Sequence, residues 1–584
     1  MPSPKNQAPL TRLRQRSSRS AEHWRNRLAH VDALPQLSLL GLLTGILAGS
    51  LILTFRLMVE VPLAQWLPEQ GENFEGLSPE WRFSLPLAGA LLLGLILRKL
   101  PAAHRETGVG HVLDRLHNHQ AHLPLRNLLT QFIGGALALL SGQSAGGEGP
   151  AVHLGAASAS QLGLWLKLPN NSLRPLVACG VAAAIAASFN TPMAGVIFAM
   201  EVVLMEYTIV GFIPVILAAV AGTALTQLVF GPDIVFTEGV SPAIALFELP
   251  VMAGLGLLVA LAAVAYIKLH SASARLSQRW PLMARLAMAG LIGALGGLWV
   301  PEIMGMGYDT IASAMAGELS WSLLFAVLIT KLVVTALIIG LGIPGGIIGP
   351  TLVMGACLGG VAGSAALMLP MTVSDVGVYV ILGMAAMMAA VLNAPLAAMV
   401  AILELTHNPG IIFPGLLVVV IACLVSRWPF RCDSLFAVLL EQDGKSNRPK
   451  LMQQLLSRTG VRGLLNRDFL LTRACIETVE AKSLLKTNPT WILIQEPRIQ
   501  LRPADLLQYL EREEPDIQTA DEAINLLEIP GQRLQMEEIE PGASLYQAWQ
   551  ILNRAQVDAL YVMAPTGSIG GIITREQIET YYQV

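Results

Sequence analysis

One acidic residue, Glu148, stands in a stretch of glycines and other small residues, Ser141-Gly142-Gln143-Ser144-Ala145-Gly146-Gly147-Glu148-Gly149-Pro150. Apolar runs flank it, from Leu128 to Leu140 and from Ala151 to Leu166. A carboxylate at membrane depth is costly, so an acid in this setting marks a candidate functional site. A Gly-rich turn that leads into a helix N-terminus attracts anions, because the first N–H groups of the helix are unpaired. Glu148 is therefore predicted to be a tethered anion in an anion site. The alternative is a packing turn whose Glu caps the helix.

A second stretch repeats this pattern about 200 residues later in the printed sequence, Gly340-Leu341-Gly342-Ile343-Pro344-Gly345-Gly346-Ile347-Ile348-Gly349-Pro350. Both stretches end in Gly-Pro before an apolar run, and proline suits the first turn of a helix. Several other apolar segments are short and interrupted by Gly or Pro, as in transporters built from repeats whose broken helices meet near the bilayer midplane. The sequence therefore predicts an internal repeat with one site between the halves. The alternative is that Gly and Pro are simply frequent in transmembrane helices.

The composition indicates a polytopic membrane protein. Of 584 residues, 53% are hydrophobic and only 14% are charged, whereas soluble domains carry about 25% charged residues. The net charge of -3 argues against a nucleic-acid partner. The five cysteines are scattered, with neither metal-ligand spacing nor a disulfide pattern. Since the sequence also has no nucleophile–base pair and no phosphate loop with a lysine, we expect neither a metal site nor an enzyme.

Apolar periodicity predicts helices of unequal length. The run from Leu37 to Leu67 exceeds the roughly 20 residues that span a bilayer, so we expect it to be tilted. Leu113 to His122 is expected to form a short helix of mixed polarity, and Val177 to Phe189 a tightly packed Ala-rich helix. Met193 to Leu204 is expected to be helical and carries Glu201.

Three regions follow from the change in composition along the chain. A basic arm over residues 1–35 carries six arginines and has no signal-peptide pattern, so the positive-inside rule predicts a cytoplasmic N-terminus. Residues 36–440 form the transmembrane domain, in two halves of about 36–240 and 241–440. Residues 441–584 are expected to form a soluble α/β domain. We expect a multi-pass protein of the cell (inner) membrane with both termini in the cytoplasm.

The motifs resemble those of the CLC family of chloride channels and chloride/proton antiporters. Gly147-Glu148-Gly149-Pro150 resembles the end of the family's G-(K/R)-E-G-P motif, and Gly346-Ile347-Ile348-Gly349-Pro350 resembles its G-x-F-x-P motif. Asn190-Thr191-Pro192-Met193-Ala194-Gly195 with Phe198 and Glu201 resembles N-(A/T)-P-x-A-G-x-x-F-x-x-E. Asn393-Ala394-Pro395-Leu396 with Glu404 resembles the matching stretch of the second half.

The resemblance implies an all-α inverted-repeat membrane domain and a homodimer with a separate anion pathway in each subunit. Anions, chiefly chloride, would be held by helix N-termini and hydroxyls, whose partial charges also let the ion leave. Glu148 would be the gating glutamate, which fills an anion site when ionised and opens the path when protonated or displaced. The implied anion-binding residues are Thr107, Gly108, Gly147, Glu148, Gly149, Gly346, Ile347, Ile348 and Phe436.

Four positions depart from the family pattern. Phe436 stands where the family has a pore tyrosine, so one expected hydroxyl is missing. Gly147 replaces the basic residue of the G-(K/R)-E-G-P motif, which should weaken the attraction of anions, and Gln131 stands where many members have lysine. Thr107 keeps the hydroxyl of the family's G-S-G-I-P motif. These changes bear on anion affinity and selectivity rather than on the fold.

The position of the family's inner proton-carrying glutamate is occupied by Val202. Valine cannot titrate, which favours channel-like conduction. The alternative is a chloride/proton antiporter with another proton route. Glu206 lies four residues past Val202, on the same face if the helix continues, and could substitute; the alternative is a solvated acid at the helix end. Glu201 is predicted to be a structural helix acid.

The C-terminal region resembles a pair of CBS (cystathionine-β-synthase-type) repeats, the second from Met536 to Gln577 and the first, degenerate, from about Arg473 to Leu510. Such pairs bind adenine nucleotides in some proteins. Gln577 replaces the usual ribose-binding acid, so no cofactor is assigned and a dimer-stabilising or regulatory module is expected. A different class of function is a membrane sensor whose output is this domain. Tight ligand binding to residues 441–584, with negligible flux through the whole protein, would identify it.

Overall fold

The computed structural model describes residue 28 and residues 33–67, 73–207, 209–231, 246–368, 374–442, 444–445, 451–496, 498–513, 523–531, 533–564 and 567–583. Most of the predicted basic arm lies outside these residues. The chain divides into two compact units. The helical unit comprises Leu34–Leu166 and Leu173–Arg448, and the C-terminal unit comprises Met1–Ala33, Lys167–Ser172 and Pro449–Val584.

The first half of the helical unit contains eight α-helices among its described residues. They are α1 (Leu34–Trp66), α2 (Pro79–Arg98), α3 (Gly108–Asn118), α4 (Leu125–Leu140), α5 (Glu148–Trp165), α6 (Asn170–Phe189), α7 (Pro192–Phe198) and α8 (Ile209–Phe230). A six-residue π-helix, Ala199–Leu204, continues α7.

The second half contains nine α-helices among its described residues. They are α9 (Leu249–Ser277), α10 (Leu282–Trp299), α11 (Tyr308–Met315), α12 (Trp321–Gly340), α13 (Ile348–Ala366), α14 (Val376–Leu392), α15 (Pro395–Thr406), α16 (Ile412–Arg427) and α17 (Leu435–Gln442).

Nine helical stretches of the described residues are long and apolar enough to cross a membrane. Helix α1 has 33 residues and is therefore about 50 Å long, against a hydrocarbon core of about 30 Å. Other helices, such as α3 and α7, are too short to span, as the interrupted apolar pattern predicts. The polytopic, mostly helical fold expected from the sequence is confirmed.

The two Gly-rich stretches have the same local structure, so the two halves of the helical unit contain a structural repeat. Each forms a tight turn between two helices, α4 and α5 in the first half and α12 and α13 in the second. Gly142 and Gly342 have φ angles of +66° and +108°, conformations that glycine adopts without strain. The matching hydrogen bonds run from Gln143 N to Ala138 O, Ile343 N to Ile338 O, Ala145 N to Gln143 O and Gly345 N to Ile343 O.

Glycine contacts bring the next helices of each half together in the same way. A Cβ atom added to Gly155 of α5 would lie 2.3 Å from the carbonyl oxygen of Gly180 in α6. A Cβ atom added to Gly355 of α13 would lie 2.3 Å from the carbonyl oxygen of Gly383 in α14. Small residues permit this close approach of helices in membranes.

Three helical segments differ from the sequence predictions. Helix α3 extends from Gly108 to Asn118 rather than from Leu113 to His122, and α6 begins at Asn170 rather than Val177. The segment predicted as one helix from Met193 to Leu204 changes from α- to π-helix after Phe198. Polar residues such as His111 hide the start of α3, because they face the interior of the unit rather than solvent.

The C-terminal unit contains a six-stranded mixed sheet in the order β1-β3-β4-β6-β7-β8 and a two-stranded sheet of β2 and β5. The strands are β1 (Phe469–Thr472), β2 (Cys475–Glu477), β3 (Trp491–Ile494), β4 (Ile499–Leu501), β5 (Ala523–Asn525), β6 (Arg533–Glu538), β7 (Ala559–Met563) and β8 (Ile569–Thr574). The helices are α18 (Leu451–Ser457), α19 (Thr478–Lys486), α20 (Pro503–Glu513), α21 (Leu545–Ala555) and α22 (Arg575–Gln583).

Each half of this unit follows the order β-α-β-β-α, first from β2 to α20 and then from β6 to α22. The pairs β3–β4 and β7–β8 are both antiparallel hairpins. This repeated order is compatible with the expected CBS pair. The side-chain oxygen of Gln577 accepts hydrogen bonds from the Thr574 backbone N–H and hydroxyl, so this residue caps the start of its own helix.

Candidate functional site

The two Gly-rich turns meet at a pair of reciprocal backbone hydrogen bonds. Gly146 N donates to Gly346 O over 2.8 Å, and Gly346 N donates to Gly146 O over 2.7 Å. A Cβ atom at Gly346 would lie 2.5 Å from the Gly149 nitrogen, so only glycine permits this approach. The N-termini of α5 and α13 are therefore brought together at the point where the halves of the helical unit meet.

Glu148 is the first residue of α5 and is only 2% exposed. One carboxylate oxygen, Oε2, accepts a hydrogen bond of 3.1 Å from the backbone N–H of Gly349, in the first turn of α13. The other oxygen, Oε1, accepts a hydrogen bond from the hydroxyl of Tyr308. The carboxylate of one half thus lies against the helix N-terminus of the other half, where unpaired N–H groups and the helix dipole favour negative charge.

A cavity of about 400 Å³ borders the two turns. Seven of the nine predicted anion-binding residues line it: Thr107, Gly108, Gly149, Gly346, Ile347, Ile348 and Phe436. The other two, Gly147 and Glu148, lie at the start of α5 but not on the wall of this cavity. The cavity wall therefore combines the Thr107 hydroxyl, the Phe436 ring and the backbone at the N-terminal ends of three helices, α3, α5 and α13.

Charged side chains on the cavity wall are mostly basic. Arg105, Arg285 and Lys445 line it together with one carboxylate, Glu106. Lys445 Nζ lies 3.8 Å from a Glu106 oxygen and 3.0 Å from a carboxylate oxygen of the buried Asp114. Lys445 is therefore compensated by these carboxylates, and the positive charge that raises the local concentration of anions on this concave wall is that of Arg105 and Arg285.

The cavity wall also carries His111, whose Nδ1 lies 2.8 Å from Nε2 of the fully buried His153 in α5. Arg115 Nε donates to the other ring nitrogen of His111 over 3.2 Å. Burial, followed by the charge of Arg115, lowers the pKa of His111 to about 4. His111 is therefore uncharged at neutral pH and adds no positive charge to the cavity.

Gln131, which stands where a lysine was expected from the sequence comparison of motifs, connects the cavity wall to the second Gly-rich turn. Its side-chain oxygen accepts from Gly108 N over 2.6 Å, and its side-chain nitrogen donates to Pro344 O over 3.0 Å. The neutral amide therefore holds the start of α3 beside the turn that precedes α13. It serves both as acceptor and as donor, which a lysine could not do.

Glu201 and Glu404 bind each other's half in a reciprocal arrangement. The carboxylate of Glu201 accepts from Leu396 N over 3.2 Å and from Ala397 N over 2.7 Å, at the start of α15. The carboxylate of Glu404 accepts from Met193 N over 2.9 Å and from Ala194 N over 2.7 Å, at the start of α7. Each acid caps a helix N-terminus of the opposite half, which is the geometry expected of a structural acid.

Glu206 does not lie on the same helix face as Val202, so this prediction was wrong. The π-helix ends at Leu204, and Met205 adopts a left-handed conformation with φ +55°. Glu206 therefore lies beyond the helix end, and the four-residue spacing from the buried Val202 does not place the two side chains on one face. Its service as a proton carrier stays a prediction.

Two residues of the site escaped the sequence reasoning, Tyr308 and Lys331. Tyr308 contacts Glu148 from 160 positions away, in a Gly305-Met306-Gly307-Tyr308 stretch whose glycines were the available signal. Lys331 is fully buried in α12. It is an isolated cation in an apolar run, and the rule that singled out Glu148 applies equally to it.

Comparison with known proteins identifies the relatives of the helical unit. The family model described as voltage gated chloride channel matches residues 89–427. The ClcB-like chloride channel protein of Ralstonia nicotianae is 31% identical over 347 residues, 58% of this chain and 81% of that protein. The H⁺/Cl⁻ exchange transporter ClcA of Vibrio vulnificus is 28% identical over 448 residues, 73% of this chain and 93% of that protein.

Among solved structures, a slow cyanobacterial Cl⁻/H⁺ antiporter superimposes with a TM-score of 0.62 at 23% sequence identity. The superposition covers 70% of this chain and 99% of the antiporter chain. At this level of identity the likeness establishes the fold.

Proposed function

Since the chain belongs to the voltage-gated chloride channel family, also called CLC, we propose that it carries chloride across a membrane along a path gated by Glu148. The movement is passive and channel-like. The single observation that carries the proposal is the Glu148 carboxylate at the N-terminus of α13, between the Gly349 N–H and the Tyr308 hydroxyl.

The gate operates by competition for these donors. The ionised carboxylate occupies a place in which a free chloride ion would receive the same N–H group and the same positive dipole end. Protonation or displacement of Glu148 releases the donors, so an anion can take them. No full positive charge is needed in direct contact with the ion, which favours release as well as binding.

The cavity supplies the approach to the gate. Arg105 and Arg285 raise the concentration of anions on its wall. Thr107 offers a hydroxyl there, and Phe436 offers only an apolar ring. We propose Thr107, Gly108, Gly147, Gly149, Gly346, Ile347 and Ile348 as the remaining anion-contacting residues of the path.

Channel-like movement is favoured over exchange because the position of the inner proton glutamate is the buried apolar residue Val202. Glu201, the neighbouring acid, accepts two backbone hydrogen bonds as a helix cap. Neither residue offers a free carboxylate for carrying protons to Glu148.

Chloride/proton exchange is the second candidate. It is supported by the relatives named as exchangers in Vibrio vulnificus and in a cyanobacterium. An exchanger of this sequence needs a titratable route other than Val202. The His111–His153 pair, which joins the cavity wall to the helix that begins with Glu148, is the best-placed such group among the described residues.

We further propose that the protein acts as a homodimer in the cell (inner) membrane, with both termini in the cytoplasm. The C-terminal unit then serves as a regulatory or dimer-stabilising CBS pair. Its repeated β-α-β-β-α order supports this assignment.

The gate assignment is tested with Glu148→Ala in proteoliposomes loaded with chloride. Removal of the tethered carboxylate should raise chloride efflux and flatten its dependence on pH, because nothing remains to close the site by ionising. A suitable control is Glu248→Gln, since Glu248 is a buried acid that accepts hydrogen bonds from Ser374 and Tyr379 instead. The control should keep both the efflux rate and its pH dependence. Efflux from the Glu148→Ala protein with wild-type rate and pH dependence would refute the gate.

A further inference from the structure

We infer that Tyr308 is the latch of the gate: its hydroxyl holds the ionised Glu148 carboxylate in the closed position. The inference rests on the proposed role of Glu148 as the gate. It assigns a function to a residue of α11, which belongs to none of the motifs that identified the site.

The latch contact is direct. Each Glu148 oxygen has its own donor, the Tyr308 hydroxyl for Oε1 and the Gly349 N–H for Oε2. A hydrogen bond to a carboxylate is stronger than one to a neutral acid, so a hydroxyl donor favours the charged form. Tyr308 thereby stabilises the closed state specifically.

The residues before Tyr308 lie along the first Gly-rich turn. Gly305 N donates to Gly142 O at 3.5 Å. The sulfur of Met306 would lie 3.4 Å from a Cβ atom on Gly147. The segment 303–308 of the second half therefore borders the turn that carries Glu148, and Met306 borders the place where the family motif has a basic side chain.

Lys331 fixes this segment. Its buried ammonium donates to Ile303 O over 3.1 Å and to Gly305 O over 3.4 Å. Gly307, which precedes Tyr308, has φ +81°, and a Cβ atom there would lie 3.0 Å from Lys331 Nζ. The ammonium thus anchors the backbone that presents the Tyr308 hydroxyl. It also brings positive charge within electrostatic range of Glu148, in a protein that lacks the basic residue at position 147.

Other charged groups surround this arrangement and must be separated from it in a pH experiment. Glu75 is influenced by Asp309, Glu302, Arg82 and Lys331. Burial, and then the charges of Asp309 and Glu302, raise the pKa of Glu75 to about 7. Because the pKa of Glu75 is about 7, any contribution of Glu75 to the pH dependence of efflux must be removed when the effect of Tyr308 is measured.

The test is the pH dependence of chloride efflux from proteoliposomes containing Tyr308→Phe. Loss of the donor destabilises the ionised, closed carboxylate, so the midpoint of the efflux–pH curve should move to higher pH by about one unit. Efflux near neutral pH should rise accordingly. Phenylalanine keeps the ring that packs edge-to-face on Phe189 at a centroid distance of 6.3 Å. If this variant does not fold, Tyr308→Leu also removes the hydroxyl and gives the same test.

Two controls isolate the latch. Tyr379→Phe removes a tyrosine hydroxyl that donates to a different buried acid, Glu248, over 3.1 Å, and should leave the midpoint unchanged. Glu75→Gln removes a neighbouring carboxyl group whose pKa is about 7, and Tyr308→Phe should shift the midpoint equally in that background.

The inference and the proposed function fail in different ways. A Tyr308→Phe protein with the wild-type midpoint, measured beside a Glu148→Ala protein that has lost its pH dependence, overturns the latch and leaves the gate. A Glu148→Ala protein with the wild-type pH dependence overturns both. An increase in efflux on Tyr308→Phe that persists in the Glu148→Ala background also overturns the latch, since the hydroxyl would then act elsewhere.

Discussion

At the scale of single residues, the main feature of the site is that the Glu148 carboxylate is buried and receives two hydrogen bonds. Glu148 is almost fully enclosed, and burying an unpaired charge costs several kcal/mol or more. The Gly349 N–H and the Tyr308 hydroxyl offset this cost by satisfying one oxygen each. A chloride ion in the same place would be stabilised by the same groups, and the proposed competition between the carboxylate and chloride rests on this.

Phe436 offers a second test at this scale. It is 6% exposed and lines the cavity with Thr107 and Ile348. Phe436→Tyr should strengthen chloride binding by about 0.5–1.5 kcal/mol, the net contribution of one hydrogen bond. Titration calorimetry of the purified protein with chloride measures the change.

The control for this prediction is Phe436→Leu, which replaces the ring with a smaller apolar side chain and adds no hydroxyl. Chloride affinity should not increase in that protein. An affinity of Phe436→Tyr equal to that of the wild type would mean that position 436 does not contact the anion.

Glu148 could be found from sequence because a lone acid between apolar runs, beside glycines, has few physical explanations. Lys331 carried the same signal, an isolated charge in an apolar run. Tyr308 could not be found in this way, since a tyrosine is unremarkable in a membrane protein and its partner lies 160 positions away. Gly305 and Gly307 mark the segment in the sequence, but only the three-dimensional structure identifies Glu148 as the partner of Tyr308.

At the scale of helices, Glu201 and Glu404 connect the ends of elements from opposite halves. Each carboxylate satisfies two backbone N–H groups of a short helix that begins with proline, α15 or α7. Such N–H groups have no partner within their own helix. The acids therefore connect the two halves through hydrogen bonds between side chain and backbone.

Glu201→Ala and Glu404→Ala should each destabilise the protein by about 1–2 kcal/mol, the typical cost of losing a helix N-cap. The two variants should lower the Tm by similar amounts, because their hydrogen bonds are equivalent. Thermal unfolding in detergent, followed by intrinsic fluorescence, measures this.

The conservative variant Glu201→Gln distinguishes a cap from a proton carrier. The amide retains an acceptor oxygen, so stability should fall less than in Glu201→Ala and the pH dependence of efflux should stay unchanged. Loss of pH dependence in Glu201→Gln without loss of stability would assign Glu201 to proton transfer instead.

Helix boundaries were less predictable than helix identities. The start of α3 is not visible from hydropathy, because polar residues there such as His111 are buried in the helical unit. The start of α6 is not visible either, because its first residues, Asn170, Asn171 and Ser172, are polar. The position of Glu206 was misjudged because Met205 takes a left-handed conformation, which the smooth apolar pattern before it does not reveal.

At the scale of the whole molecule, the resemblance to the CLC family was predicted from four motifs and is confirmed. The motifs were sufficient because they occur as matching pairs, and the two Gly-rich members of one pair meet at Gly146 and Gly346. The C-terminal unit was recognised as a soluble α/β region, and its repeated strand and helix order agrees with a CBS pair. Because the first repeat is degenerate in sequence, the strand order of the large sheet could not be predicted.

The most direct test of the central claim is a simultaneous record of chloride and pH outside proteoliposomes loaded with chloride. We predict chloride efflux that begins when an ionophore dissipates the membrane potential, without uphill movement of protons. The reason is that Val202 cannot carry protons toward Glu148. Chloride efflux that drives protons uphill in a fixed proportion would contradict passive conduction. It would make the protein an exchanger with a different proton route, for which the His111–His153 pair is the first residue pair to mutate.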